Sequence, residues 1–213
     1  SAATPRALMA RSSASALLLD LGGLAAQTPE VVQLGAANVA TTLDLDLLDD
    51  RGVQREGALD ADAEADLADG ERLADAVAAA VQGQDVVYAN LAGRMADAAR
   101  TIVTAMDAAG VRRLIFISSM GVDDEIPGQH VGPVLDPYRE AARVVEASDL
   151  DYTLIRPAWL SDSREIAYGT TTKPQPFENA DATVSRRSVA DLIVRLVTEP
   201  GLGVRESLGV HHS

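Results

Sequence analysis

The chain has 213 residues, no cysteine, and 18 basic against 32 acidic residues, which gives a formal net charge of −14. The lack of cysteine excludes disulfide scaffolds, cysteine-ligated metals and thiol nucleophiles. The acidic balance disfavours a surface that tracks phosphates, so no nucleic-acid partner is expected. No apolar run reaches the roughly 18 to 20 residues that span a bilayer, so no membrane partner is expected either.

The first part of the chain is less regular than the rest. Residues 1–29 receive no assignment, although an apolar run over 16–26 faintly resembles a signal segment. Asp20 interrupts that run, so we expect a cytoplasmic protein. Residues 30–213 are interpreted as one domain, which begins with a short strand over Val31–Leu34 and a possible helix over 39–48. Residues 56–76 are rich in Ala, Asp and Glu and contain no clear strand.

From residue 85 onward, short apolar runs alternate with helical patterns. The apolar runs predict buried strands. The helical patterns carry apolar residues three and four positions apart, and two of them have a recognisable boundary: Gly110 stops the first, and Ser185 caps the last. The predicted strands cover residues 85–90, 114–118 and 152–156, and the predicted helices cover residues 95–109, 137–148 and 186–198.

This alternation predicts an α/β fold, a doubly wound parallel sheet covered by helices on both faces. In such sheets ligands bind at the carboxyl ends of the strands. The loops after Val87, Ile117 and Ile155 are therefore where we expect a functional site.

Several segments, in this order and spacing, resemble the atypical short-chain dehydrogenase/reductase superfamily, in particular its small NAD(P)H-binding, NmrA-like branch. The resemblance implies a single Rossmann-like domain that binds NAD or NADP. The resembling segments are Ala65–Asp69 (ADLAD), Gly83–Val87 (GQDVV), Ala109–Gly121 (AGVRRLIFISSMG), Ser148–Pro157 (SDLDYTLIRP) and Val184–Ala190 (VSRRSVA).

The resemblance also implies which residues bind the cofactor. A dinucleotide needs a glycine-rich turn before a helix, where backbone N–H groups approach the pyrophosphate. Gly35–Val39 (GAANV) is similar to that turn, with Asn38 in place of one glycine. NADP is slightly preferred over NAD, with Arg51 or Arg55 as remnants of a basic strand end. The implied cofactor residues are Gly35, Ala36, Ala37, Asn38, Val39, Asp66, Leu67, Leu91, Ala92, Gly93, Ser118, Pro157 and Ala158.

The implied catalytic residues are Ser119 first and Tyr138 second, and the implied substrate contacts are Met120 and Trp159. Other roles stay open: the serines could cap their strand, Trp159 could be packing, and Tyr138 could be a substrate contact or a surface residue instead of an activated acid. One departure from the family pattern is clear. Members with a Tyr-x-x-x-Lys pair use the lysine to lower the tyrosine pKa, whereas this chain has Ala142 at that place. Lys173, the only lysine, is far along the chain.

The resemblance implies an oxidoreductase that transfers hydride to a small carbonyl or quinone-like substrate. The alternative is a non-catalytic NAD(P)-sensing regulatory or scaffold protein of NmrA-like type. The expected partners are a dinucleotide and a small-molecule substrate, with the chain acting as a monomer or homodimer. No metal is expected. His211 and His212 are interpreted as a short polar tail, and His130 is the one other histidine, so a histidine metal site is not predicted.

Overall fold

A computed structural model describes residues 16–20, 74–75, 77–91 and 94–213 of the chain. These residues form a six-stranded sheet with the strand order β1-β2-β3-β4-β8-β6, and a separate two-stranded pair, β5 with β7. All neighbouring strands of the larger sheet run parallel except β6, which is antiparallel to β8. The strands are β1 Ala16–Asp20, β2 Val86–Asn90, β3 Arg113–Ile117, β4 Asp151–Pro157, β5 Trp159–Ser161, β6 Gly169–Thr172, β7 Thr183–Ser185 and β8 Glu206–His211.

Helices cover both faces of the sheet, which makes the fold doubly wound as predicted. Alternate residues of a strand point to opposite faces, so each central strand contributes to two separate cores. On β3, Leu114 and Phe116 belong to one core and Ile115 and Ile117 to the other. The first core packs against residues 77–81, α1 (Met95–Ala109) and α2 (Asp136–Glu146), and the second packs against α3 (Arg186–Thr198).

The helix boundaries follow from local interactions in the sequence. Gly110 ends α1 in a left-handed conformation with φ 71°, which glycine adopts without a steric penalty. Ser185 begins α3, where its side chain accepts a hydrogen bond from the backbone N–H of Ser188 at 2.9 Å. Both boundaries are confirmed, and no helix in the described part of the chain is long and apolar enough to cross a membrane.

Several strands were missed by sequence reasoning. Ala16–Asp20, left without an assignment, forms β1 and pairs with β2, whereas the strand predicted over 31–34 lies outside the described residues. The interpretation of His211 as part of a polar tail is wrong: His211 ends β8 and is 5% exposed. The sequence of β8, ESLGVH, lacks a continuous apolar run, and its pairing with β4 on one side and β6 on the other makes it a strand.

Candidate active site

A cavity of about 710 Å³ opens where β2, β3 and β4 end. Parallel strands present their carboxyl ends at one edge of the sheet, so segments far apart in sequence meet there. The cavity brings together eight of the residues predicted for the site: Leu91, Ser118, Ser119, Met120, Tyr138, Pro157, Ala158 and Trp159. The other predicted residues, Gly35–Val39, Asp66, Leu67, Ala92 and Gly93, lie outside the described residues.

Ser118 is the first residue after β3 and is 4% exposed. Its backbone N–H donates to the carbonyl of Ile155 at 2.7 Å, which ties the strand end to β4. Its hydroxyl has no hydrogen-bond partner within the described part of the chain. A buried polar group without a partner destabilises a fold by about 1–3 kcal/mol. The Ser118 hydroxyl is therefore suited to a hydrogen bond with a molecule in the cavity.

Ser119 differs from its neighbour, because its hydroxyl is already engaged. Ser119 Oγ donates to the carbonyl of Met120 at 3.1 Å, and the side chain is half-buried. Ser119 can donate to a bound molecule once it releases the Met120 carbonyl.

Tyr138 lies in the first turn of α2 and lines the cavity. Among the described residues its hydroxyl has no hydrogen-bond partner. Ala142, one turn further along α2, is 7% exposed and packs in the first core. The neighbouring Arg139 directs its guanidinium to loop carbonyls instead, including that of Val131 at 2.7 Å. Arg139, although adjacent in sequence, therefore does not take the place of the missing lysine.

The cavity has an apolar rim, and Trp159 is the one member of it that the sequence predicted. Trp159 is 68% exposed, Leu160 is 38% exposed and Val134 is 75% exposed, and all three line the opening. Large apolar side chains at this level of exposure are the surface features that accompany ligand sites. Trp159 therefore lies at the cavity wall and is not buried in a core.

Two charged residues of the cavity were missed, Asp181 and Arg186. Arg186 opens α3, and its guanidinium donates to Asp162 at 2.5 Å. The sequence predicted that a helix begins at Arg186, and the structure confirms this start. Its position over the ends of β3 and β4 depends on the β5–β7 pair, which no local pattern predicted.

The sequence of the chain was compared with models of known protein families. The family model described as NAD(P)H-binding matches residues 33–200. The chain belongs to this NAD(P)H-binding family. The match covers the site described above, and the predicted resemblance is confirmed. Members bind a nicotinamide dinucleotide, and the cavity fits such a group on structural grounds, since it offers an unpartnered buried hydroxyl at Ser118 and a small side chain at Ala158.

Solved structures agree with the predicted fold. A Rossmann-fold NAD(P)-binding protein from Shigella flexneri is 30% identical, with 94% of each chain covered and a TM-score of 0.63. A short-chain dehydrogenase/reductase from Veillonella parvula in complex with NADP is 22% identical, with 93% of this chain and 94% of that chain covered and a TM-score of 0.66. The anaerobillin reductase ChuY from Escherichia coli is 23% identical, with 93% and 97% covered and a TM-score of 0.61.

One curated protein, the UPF0659 protein YMR090W of Saccharomyces cerevisiae, is 26% identical over 117 residues, which are 51% of this chain and 50% of that protein. The chain therefore spans about half the length of the curated relative it matches. Within the described residues, no group of His, Asp and Glu side chains is arranged to hold a metal ion.

Proposed function

We propose that the chain is an NAD(P)H-dependent oxidoreductase that reduces a small carbonyl or quinone-like substrate in this cavity. The observation that carries the proposal is the Ser118 hydroxyl, buried and unpartnered among the described residues, at the ends of parallel strands in a chain of the NAD(P)H-binding family. A ligand that accepts this hydrogen bond removes the penalty of the unpaired group.

The roles of the cavity residues follow from their chemistry. The dinucleotide supplies the hydride. Leu91, Ser118, Pro157 and Ala158 bind its nicotinamide end, while Met120 and Trp159 contact the substrate. Ser119 Oγ and Tyr138 Oη are the hydroxyls that can donate to a substrate oxygen as negative charge develops there. Buried apolar walls, among them Ile126 and Leu135, exclude water and strengthen those hydrogen bonds.

The remaining cofactor contacts stay predictions. Gly35–Val39 would hold the pyrophosphate, and Asp66 and Leu67 would lie near the adenine. A slight preference for NADP, which rests on Arg51 or Arg55, belongs to the same proposal.

Trp159 is the only tryptophan, and its place at the cavity provides a direct test of cofactor binding. NADPH absorbs where tryptophan emits, so excitation of Trp159 should produce NADPH emission that saturates with cofactor concentration. Trp159→Phe should abolish this transfer, while direct NADPH fluorescence still reports binding. Titrating NADPH and NADH separately measures the cofactor preference. If neither cofactor gives a signal by either method at near-millimolar concentration, the proposal is wrong.

Turnover is tested with menadione, a naphthoquinone, and with a panel of aldehydes and ketones. Removal of a hydrogen-bond donor to a developing oxyanion lowers rates by about 10²–10³-fold. We therefore expect Ser119→Ala to lower kcat by at least about tenfold while leaving cofactor affinity nearly unchanged. Ser118→Ala should instead weaken cofactor affinity. Equal effects of the two substitutions on both quantities would contradict the division of roles.

A second candidate is a non-catalytic NAD(P)-sensing protein, and the observation that favours it is Ala142. The alanine stands where other members carry the lysine that pairs with the tyrosine, and it packs in the first core. A sensor would bind dinucleotide, with different affinities for the oxidised and reduced forms, and would show no turnover with any compound of the panel. Oxidation of NADPH that Ser119→Ala abolishes would exclude the sensor.

A further inference from the structure

The loop between β3 and α2, residues 121–132, forms one wall of the cavity. It contributes Ile126, Gln129 and Val131 to the lining. A second cavity of about 700 Å³ adjoins the same loop and shares Ile126 and Gln129 with the first. The buried side chains of Val122 and Ile126 hold the loop by packing. A hydrogen bond from the Phe177 backbone N–H to the Glu125 carbonyl at 2.9 Å and two side-chain anchors add to this packing.

The first anchor lies on the sheet side of the loop. The carboxylate of Glu125 accepts the backbone N–H groups of Gly121 and Asp123, both at 2.9 Å, and pairs with Arg156. The Arg156 guanidinium also donates to Ser207 Oγ at 2.9 Å and to the Ser207 carbonyl at 3.2 Å. The loop is thereby connected through β4 to β8.

The second anchor is Arg139, on the helix side of the loop. Its guanidinium donates to the carbonyls of Val131 at 2.7 Å and Gly132 at 3.2 Å. It also pairs with Asp124 at 3.2 Å in the loop and with Asp136 at 3.0 Å in its own helix. The Arg139 side chain is only 13% exposed, whereas Asp124 and Asp136 are 53% and 65% exposed. The two ion pairs are therefore open to solvent, and the bonds to the carbonyls are partly buried.

Arg139 is therefore engaged on three sides by one loop and one helix turn. A guanidinium has five donors in a rigid planar fork, which a lysine ammonium cannot reproduce. Arg139 also directly follows Tyr138, so the same contacts fix the first turn of α2 relative to the loop. The loop and Tyr138 both line the cavity, and the contacts of this one side chain connect them.

We propose that Arg139 is a positioning residue that holds the loop 121–132 and Tyr138 in the arrangement that binds substrate, with the Glu125–Arg156 pair as its counterpart on the sheet side. The inference rests on the proposed function, because it assigns the substrate to this cavity. Arg139 contacts neither substrate nor cofactor and acts through the backbone of the loop.

The test compares Arg139→Lys with Arg100→Lys, a matched change at an arginine that pairs with Asp97 and Glu140 on the outer surface of α1 and α2. Hydrogen exchange is followed in peptides that cover residues 120–135. Arg139→Lys should speed exchange in this loop, whereas Arg100→Lys should leave it unchanged. Asp124→Asn removes the charge of one partner of Arg139, and asparagine tolerates the positive φ of 53° at that position. This variant should also speed hydrogen exchange in the loop, but by less. It replaces Arg139→Lys if that variant does not fold.

Kinetic and binding measurements distinguish an effect on substrate binding from an effect on cofactor binding. A misplaced wall removes substrate contacts, so the KM for menadione should rise about tenfold in Arg139→Lys while kcat changes less. The Kd for NADPH, measured through Trp159, should stay within about twofold, since the nicotinamide contacts lie on the strand ends. Faster loop exchange with an unchanged KM, or unchanged exchange, would overturn the inference.

The two proposals fail in different ways. If the wild-type chain binds no dinucleotide, the proposed function fails, and the positioning role is then measured by quenching of Trp159 fluorescence with menadione alone. Weaker quenching in Arg139→Lys than in Arg100→Lys supports the role without turnover. Equal quenching in the two variants, or none in the wild-type protein, overturns it.

Discussion

The carboxylate of Glu125 and the guanidinium of Arg156 form an ion pair that is almost completely removed from solvent, with side chains 5% and 1% exposed. The pair connects the cavity wall to the centre of the sheet. Two buried charges stabilise each other only as long as both are present. Without Glu125, Arg156 would keep only the more distant carboxylate of Asp123 at 3.7 Å as an ion-pair partner.

Replacing only one member of this pair should therefore be strongly destabilising. We expect Glu125→Ala to lower the free energy of unfolding by about 3–5 kcal/mol, as measured by urea denaturation. The double variant Glu125→Leu with Arg156→Met removes both charges and should recover most of that loss. If Glu125→Ala lowers the free energy of unfolding by less than about 1 kcal/mol, water or another group stabilises the charge of Arg156 in place of Glu125.

Ser118 and Ser188 are both buried serines, but they differ in their hydrogen bonds. Ser188, 0% exposed, has a hydroxyl that accepts from the backbone N–H of Ala167 at 3.1 Å and shares a hydrogen bond with Ser185 Oγ at 2.9 Å. We expect Ser188→Ala to destabilise the ligand-free protein by about 1–3 kcal/mol, and Ser118→Ala to change its stability by less than about 1 kcal/mol. Thermal unfolding of both variants without cofactor measures this difference. Equal losses would contradict the assignment of Ser118 Oγ as unpartnered.

Gly209 allows β8 to pack closely against its neighbours. A Cβ at this position would lie 2.6 Å from Thr171 Oγ1 and 2.8 Å from the Phe177 ring. Gly209→Ala should therefore overpack the site and lower the free energy of unfolding by about 1–3 kcal/mol. Gly132→Ala is the control, because its φ of −67° suits any residue and its Cβ would meet no atom within 4 Å. Comparable losses in the two variants would indicate a backbone effect and not crowding.

Lys173 provides a prediction on pH dependence. Burial lowers the pKa of Lys173, but its hydrogen bonds to Asp123 at 2.8 Å and Glu146 at 3.0 Å outweigh burial, and the pKa lies above the ordinary value of 10.5. A raised pKa in the folded state means that the folded protein binds the proton more tightly. The stabilisation is therefore fully present below pH 10.5 and is lost as the pH rises through the folded-state pKa.

We expect Lys173→Gln to be less stable than the wild-type protein at about pH 8, with the difference shrinking at about pH 11.5. Urea denaturation at the two pH values measures this change. A difference that grows with pH would have the wrong sign for a raised lysine pKa.

The sequence was sufficient for the elements whose signals are local. The run Leu114–Ile117 predicts a strand because a strand buried on both faces is apolar at every position. Ser185 predicts the start of α3 because a cap bonds a backbone N–H only a few residues away. Ser118, Met120, Pro157 and Trp159 could be placed at one site because parallel strands end at the same edge of a sheet.

The tertiary structure decided what depends on distant partners. The strand β8 exists because β4 and β6 pair with it on either side, and the place of Arg186 in the cavity depends on the β5–β7 pair. The sequence by itself determined that the family lysine is replaced by Ala142. Only the folded chain shows what the nearby Arg139 does instead, because a long charged side chain bonds whichever carbonyls and carboxylates the fold brings within reach. Here those groups belong to the cavity wall.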